Sequence, residues 1–412
     1  MRSLVFALLL PAAAFAQINL SDEIVSAPLR ARLVPVSIAA PAVAVAKDDG
    51  GVAIAWTMSN GAGADRIYVA RLNDAAQAGS VREIPLSSPS ATIHEAYPSL
   101  AAWPDGKGFV LAWLEIDPAT PKFARAAFCR LDAALTPSAP AVLLETVLSR
   151  SPALARTKGD TAWISAGGFV WPLSKEGTLG QPLAGIAASD MTVGTGVPQL
   201  VGSRPVQSTS YTCVPGCAVR GGPFNGFCRE ECHIYGPDDY ELDFTALFTS
   251  SASRVFKFNS EAKPAIASNG DDLLVTWFRG TQASGGDVVA TRLRTPVQPG
   301  TFTASADVPL SIGSFYSDSG ETRADIAADG DSYVVVWRIT NHPGDHDITG
   351  VMVDSQNRLT PLSIATSAAD ERDPAVLALG SGTFLVAYEK VIGTERRIAG
   401  RFISVGRRRA AR

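Results

Sequence analysis

The sequence predicts an all-β chain built from repeats of a four-stranded antiparallel unit. Five stretches open on Pro-Ala or a variant of it and end about 13 to 15 residues later in Trp or Tyr. They begin at Pro41, Pro98, Pro264, Arg323 and Pro374 and close at Trp56, Trp113, Trp277, Trp337 and Tyr388. Each holds an apolar strand, a tight turn and a second apolar strand. The turns Asp48-Asp49-Gly50, Asp105-Gly106, Asn269-Gly270, Asp329-Gly330 and Gly380-Ser381-Gly382 use residues that tolerate positive φ, as short hairpins require.

A polar loop follows the Trp, and then a third strand, expected at 66–72, 123–131, 287–293, 347–353 and 397–403. A fourth short strand is readable at Ile84-Pro85-Leu86-Ser87, Val308-Pro309-Leu310-Ser311 and Thr360-Pro361-Leu362-Ser363. The second strands, such as Tyr333-Val334-Val335-Val336-Trp337, are apolar on both faces and so must be covered on both. Alanines crowd the first strands, at Ala42, Ala44, Ala46, Ala101, Ala102, Ala327 and Ala328, where space between units is least. Four antiparallel strands per unit, stacked face to face about an axis, make a β-propeller.

Spacing sets the number of units. The openings at 41, 98 and 152 lie 57 and 54 residues apart, and those at 264, 324 (the Ala of Arg323-Ala324) and 374 lie 60 and 50 apart. The interval from 152 to 264 is 112 residues, which is two repeats. A weakened third copy is visible at Pro152-Ala153-Leu154-Ala155 with Thr161-Ala162-Trp163-Ile164, and a degraded fourth at Val197-Pro198-Gln199-Leu200-Val201 with 242–247 and 255–258. The expected fold is a propeller of seven four-stranded blades, with six or eight as the alternatives. The last copy stops after its third strand, so Leu33-Val34-Pro35-Val36-Ser37 is expected to supply the missing fourth strand and close the ring.

Residues 1–16 read as a secretory signal peptide: Arg2 gives the charged start, Leu4 to Leu10 the apolar centre, and Ala14-Phe15-Ala16 the cleavage site. One propeller domain is expected over 17–406, followed by a basic tail, 407–412. No stretch reaches the roughly 18 to 20 apolar residues of a membrane span. The net charge of -4, with both signs dispersed, does not suggest nucleic acid as a partner. The mature chain is expected to be exported, secreted or periplasmic, and monomeric.

An insertion at about 205–240 holds four of the five cysteines, as Cys213-x3-Cys217-x10-Cys228-x3-Cys232. In an exported chain these are expected to form two disulfides that staple a loop without a core. Nested pairing, Cys213 with Cys232 and Cys217 with Cys228, is preferred among three connectivities. A four-thiolate zinc site with His233 nearby is the alternative. Tyr211, Phe224, Phe227, Tyr235 and Tyr240 give the insertion an aromatic complement suited to a protein or a sugar, or to a small core of its own. Cys129 is expected as a buried free thiol.

Signals for catalysis are sparse. The histidines are His94, His233, His342 and His346, and no nucleophile elbow, phosphate-cradling loop or zinc-protease helix is present. His342-Pro343-Gly344-Asp345-His346-Asp347 is the densest polar cluster and the one candidate for a metal, but Asp65 and Asp287 are read at the place of Asp347 in other copies, which makes it a turn residue. No metal and no cofactor are expected. Asp318-x-Gly320-x-Thr322 partly resembles the Asp-box of sialidase-type propellers, with Tyr316 where that motif has Ser and Arg323 where it has an aromatic. Glu95, Glu115, Asp271 and Asp325 are the acidic residues that could face a central channel.

The pattern P-A-x-A-x-x-G-x-x-x-L-V-x-W, followed by a polar loop and a strand leading into P-L-S, resembles degenerate β-propeller repeat proteins of the uncharacterised exported bacterial type. The resemblance is one of scaffold and spans most of the chain. The Gly-His and Trp-Asp pairs of WD40 units and the paired glycines of kelch units are absent. It implies no catalytic or binding residues. The expected function is binding of a protein or glycan ligand; a glycan-active hydrolase or lyase and a structural protein of the cell envelope are the competing readings.

Overall fold

The computed structural model describes residues 18–26, 43–60, 62–72, 82–84, 92–119, 124–138, 141–148, 153–156, 161–184, 190–193, 198–205, 212–216, 229–233, 240–246, 250–256, 264–270, 272–281, 285–294, 303–304, 308–310, 324–342 and 345–406. The signal peptide, the segment 33–37, the Asp-box-like stretch and the basic tail lie outside them. Among the described residues the regular structure is all β, and no helix is long and apolar enough to cross a membrane.

Two short N-terminal strands, β1 (Ile18–Leu20) and β2 (Ile24–Val25), precede seven larger sheets. Sheet 1 is β3 (Val43–Asp48), β4 (Gly51–Ser59), β5 (Asp65–Arg71) and β6 (Arg82–Glu83). Sheet 2 is β7 (His94–Ala102), β8 (Phe109–Ile116), β9 (Ala124–Leu131) and β10 (Val142–Leu148). Sheet 3 is β11 (Ala153–Arg156), β12 (Thr161–Ala166), β13 (Phe169–Ser174) and β14 (Leu183–Ala184). Sheet 4 is β15 (Asp190–Val193) and β16 (Pro198–Pro205), then β19 (Tyr240–Ala246) and β20 (Ser250–Phe256), with the hairpin β17 (Thr212–Gly216) and β18 (Arg229–His233) between its second and third strands. Sheet 5 is β21 (Ala265–Ser268), β22 (Asp272–Thr281), β23 (Gly285–Arg294), β24 (Thr303–Ala304) and β25 (Val308–Pro309). Sheet 6 is β26 (Asp325–Asp329), β27 (Ser332–His342), β28 (Asp345–Val353) and β29 (Leu359–Ala365). Sheet 7 is β30 (Asp370–Gly380), β31 (Thr383–Ile392) and β32 (Glu395–Val405), and β1 and β2 both pair antiparallel with β32.

The four-stranded antiparallel unit read from the repeat is therefore observed, eroded copies included. Two placements differ. The first strand of sheet 4 is Asp190–Val193, and Pro198 to Val201, expected as its first strand, belong to its second. Asp190-Met191-Thr192-Val193 lacks the Pro-Ala opening, so nothing in its composition marks it as a repeat start. The strand added to sheet 7 comes from Ile18–Leu20 and Ile24–Val25, just beyond the expected cleavage site. Ile18 pairs with Val405 and Ile24 with Gly400.

At four junctions the recurrent Trp or Tyr packs its sheet on the one before it, whereas Trp163 of sheet 3 packs with Met191 and Leu200 of sheet 4. Trp113 of sheet 2 shares a core with Ile67 and Val69 of sheet 1, and Trp337 of sheet 6 with Ala265 and Val288 of sheet 5. Tyr388 of sheet 7 packs with Ile348 and Met352 of sheet 6, and Trp56 of sheet 1 with Ala387 and Ile398 of sheet 7. A ring of this size fills the gap between two sheets, and truncating one in such a core costs about 3–5 kcal/mol. The first strands also neighbour one another in succession, β3 with β7, β7 with β11, β11 with β15, β15 with β21, β21 with β26, β26 with β30, and β30 with β3. Asp190 Oδ2 accepts from the Ile266 amide at 2.9 Å and Asp325 Oδ2 from the Val376 amide at 2.8 Å, each joining one first strand to the next. That places Asp325 in a structural link.

Candidate functional site

Each sheet has two ends. One carries the turns from first to second strand and from third to fourth; the other carries the turns from second to third strand and the links to the next sheet.

At the first end the charged groups clasp neighbouring sheets. Arg71 on β5 binds both carboxylate oxygens of Asp48 and lies 5.2 Å from the centre of the Phe109 ring of sheet 2. Arg292 holds the matching position on β23: it lies 3.3 Å from Asp272 and 5.1 Å from the Tyr333 ring of sheet 6. Asp48 Oδ2 also accepts from the Gly108 amide of sheet 2 at 2.8 Å. Burial raises the Asp48 carboxyl, but the bonds from Arg71 and the amides of Gly108 and Gly50 outweigh it and hold it below its ordinary range. Gly108 has φ of 89°, and a Cβ there would sit 2.2 Å from the Leu131 carbonyl oxygen, so no other residue fits this approach.

The second end gathers titratable groups that the fold draws inward. On β7 and β30 the strand is broken by a bulge at Tyr97-Pro98 and Asp373-Pro374, where the pairing shifts between Ala96 and Ser99 and between Arg372 and Ala375. Tyr97 and Asp373 have φ of 58° and 50°, and the prolines have no N–H to give a ladder. The residues before each bulge then meet the preceding sheet. Glu95 is fully buried and accepts from the Ile67 amide of sheet 1 at 3.1 Å. It stands directly across β8 from Glu115, which is 1% exposed and lies 3.9 Å from Arg125. In sheet 7 the matching Glu371 is fully buried, opposite Lys390 and 3.3 Å from its ammonium. Lys390 reaches on to Glu23 at 2.6 Å, and Glu23 also accepts from the Tyr388 hydroxyl.

Imidazole and carboxylate meet at two of these junctions. His94 Nδ1 accepts from the Asp65 amide at 3.2 Å and lies 3.4 Å from the Asp65 carboxylate. His346 Nδ1 lies 2.6 Å from Asp370, which also binds Arg372. Burial raises Asp370, and the bonds from His346 and Arg372 more than reverse it, so its carboxyl sits below the ordinary value. Burial pushes the Glu371 carboxyl up, and the nearby Asp347 charge adds to that, against the opposing bonds from Ser367 and Lys390. Between sheets 7 and 1, Arg396 binds Glu389 and the Thr57 carbonyl.

Several sequence expectations resolve here. Glu95 and Glu115 come together, closed to solvent between sheets 1 and 2. The strand registers place Asp287 and Asp347 at one equivalent position, but Asp65 one residue away, where sheet 6 has His346. His346 turns to Asp370 of the next sheet, outside its own sequence cluster. Among the described residues no group of three or more His, Cys, Asp or Glu is arranged to hold a metal ion. Cys129 is buried and free, its thiol pushed up to about 12 by burial and by the charge of Glu95. Asp271, Tyr211, Phe224, Phe227, Tyr235, Cys217 and Cys228 lie outside the described residues.

The register also exposes a signal the repeat alignment missed. Asp325 pairs at the position of Ser99, Ala265 and Ala375, so the sixth copy is aligned one residue later than its Arg323-Ala324 opening suggests. A Glu then stands four residues earlier in four copies, at Glu95, Glu261, Glu321 and Glu371. A carboxylate recurring with the scaffold is read most simply as part of the scaffold.

No protein-family model and no curated protein sequence matches the chain. Solved structures similar to it include Trypanosoma rangeli sialidase in complex with the inhibitor DANA, at 10% identity and a TM-score of 0.45 over 89% of this chain. The chain spans 55% of that sialidase's length. The parainfluenza virus 5 hemagglutinin-neuraminidase ectodomain gives 9% identity and 0.44 over 94% of this chain and 85% of that one. The WD40 domain of Neurospora crassa Pan2 gives 8% and 0.44 over 88% and 89%.

Proposed function

We propose that the chain is an exported seven-bladed β-propeller that binds a protein or glycan ligand on the face carrying the turns between second and third strands. Seven sheets whose first strands neighbour one another from β3 round to β30 and back to β3 support a ring. The packing of Trp56 on sheet 7 and the N-terminal strands on β32 support its closure. The signal-peptide pattern of residues 1–16 supports export.

One observation carries the choice of face. In sheet 4 the second and third strands are separated in sequence by an insertion that carries the β17–β18 hairpin, and nothing in the ring requires it. Insertions of this kind on a rigid scaffold are where binding residues concentrate. The same face holds the His346, Asp370, Glu371, Lys390 and Arg396 cluster. Glu95, Glu115, Glu371 and Glu389 are each at most 1% exposed, an arrangement that joins sheets and keeps a substrate away from the carboxylates. It favours a binding protein over a hydrolase.

A glycan array probed with the mature protein and with a variant in which 206–239 is replaced by a two-residue turn tests the reading. Selective binding that the shortened, still folded variant loses is the expected result. Equal binding by both would take the insertion out of the reading, and release of sugar from arrayed glycosides would establish the hydrolase instead.

A further inference from the structure

We infer that the β17–β18 hairpin is locked by a cross-strand disulfide between Cys213 and Cys232, which leaves Cys217 and Cys228 to form the second bond. Two ladders lie on this stretch. In sheet 4, Gln199 pairs with Ala246 and the pairing runs one for one to Pro205 with Tyr240. In the hairpin, Thr212 pairs with His233 and runs one for one to Gly216 with Arg229. Six residues separate the ladders on either side, 206–211 and 234–239, so both keep a single register.

That register places the cysteines. Cys213 is directly opposite Cys232. Opposed residues of an antiparallel pair have Cα atoms about 4.5–5.5 Å apart, within the 4.4–6.8 Å that a disulfide spans. With that pair bonded, Cys217 and Cys228 are the two insertion cysteines that remain. Both other connectivities separate the two residues that the ladder sets opposite each other.

Each bond forms as two S–H bonds break and one S–S bond is made. Two protons and two electrons pass to a disulfide-exchange oxidant, whose own S–S bond breaks as it is reduced to its dithiol. The inference rests on the export reading for that oxidising compartment. It does not depend on which ligand binds.

The test uses the full chain exported with its own leader, unfolded in denaturant with a chelator and an alkylating reagent and without reductant. The expected count is one alkylated cysteine per chain, Cys129. Cys213→Ser with Cys232→Ser keeps the count at one, because Cys217 stays bonded to Cys228. Cys213→Ser with Cys217→Ser raises it to three, because Cys228 and Cys232 both lose their partners. Reversed counts would establish neighbouring pairs, three in both variants would establish crossed pairs, and five in the parent would mean no disulfide; each overturns the inference. A non-reduced peptide map of the parent, cut after Pro215, Arg220 and Arg229, gives the same answer without substitutions. Correct thiol counts alongside an empty glycan array would refute the ligand reading and leave the disulfides standing.

Discussion

The junctions between sheets 1 and 2 and between sheets 6 and 7 place the same two residue types at the same two positions, exchanged. Asp65 begins the third strand of sheet 1 and faces His94 before the bulge of β7; His346 stands where Asp65 does and faces Asp370, the counterpart of His94. The exchange alters the bond. His94 Nδ1 accepts a hydrogen bond from the Asp65 amide, so that nitrogen has no proton to offer the Asp65 carboxylate. His346 Nδ1 lies against the Asp370 carboxylate itself, where a charge-assisted bond forms. One histidine joins its neighbour through backbone, the other through a side-chain pair.

The junction between sheets 7 and 1 supplies a third version. Arg396 occupies the position of Asp65 and His346, and ties Glu389 to the Thr57 carbonyl with both side chains of the ion pair buried. Arg396→Ala should give the largest effect of the set, because it takes from the buried Glu389 the guanidinium that binds both its carboxylate oxygens. Removing one partner of such a pair costs about 3–5 kcal/mol. A urea midpoint close to the parent's would show that the ion pair does not hold this junction.

Double-mutant cycles separate the other two junctions. The His346 and Asp370 pair should couple by about 1.5–3 kcal/mol, as hydrogen bonds to charged groups do. The side chains of His94 and Asp65 should couple by less than about 0.5 kcal/mol, since the bond between those residues runs through the Asp65 amide, which survives Asp65→Ala. Equal coupling energies from chemical denaturation would erase the distinction drawn from the geometry.

The four-stranded unit was legible in the sequence because alternation, turn chemistry and a terminal Trp are local signals repeated five times over. Erosion removed them from sheet 4, whose first strand begins at Asp190 with no Pro-Ala to mark it. The junction chemistry was legible only in pieces. Glu95, Glu115 and His346 stood out as titratable residues, but their partners come from other sheets, and a partner across a sheet boundary leaves no trace in local spacing. Glu371, Lys390 and Glu23 were missed for that reason. The recurring Glu was hidden by a one-residue misalignment of the sixth copy, which only strand pairing corrects.

The smallest expected effect lies in the acid limb of stability, where adjacent residues of β30 pull in opposite directions. Asp370, lowered in the folded state, contributes stability that is present above its unfolded value of 3.8 and is lost as pH falls through the lower folded value. Glu371, raised in the folded state, behaves in reverse: its contribution is present below 4.5 and is lost as pH rises through the folded value. Asp370→Asn should therefore flatten the stability curve just below pH 3.8, and Glu371→Gln should flatten it just above pH 4.5. Urea midpoints across the acid range, taken as differences from the parent, resolve the two windows. Parallel curves for both variants would mean that His346 and Arg372 do not hold Asp370 ionised, and the asymmetry between the two histidine junctions would lose its electrostatic basis.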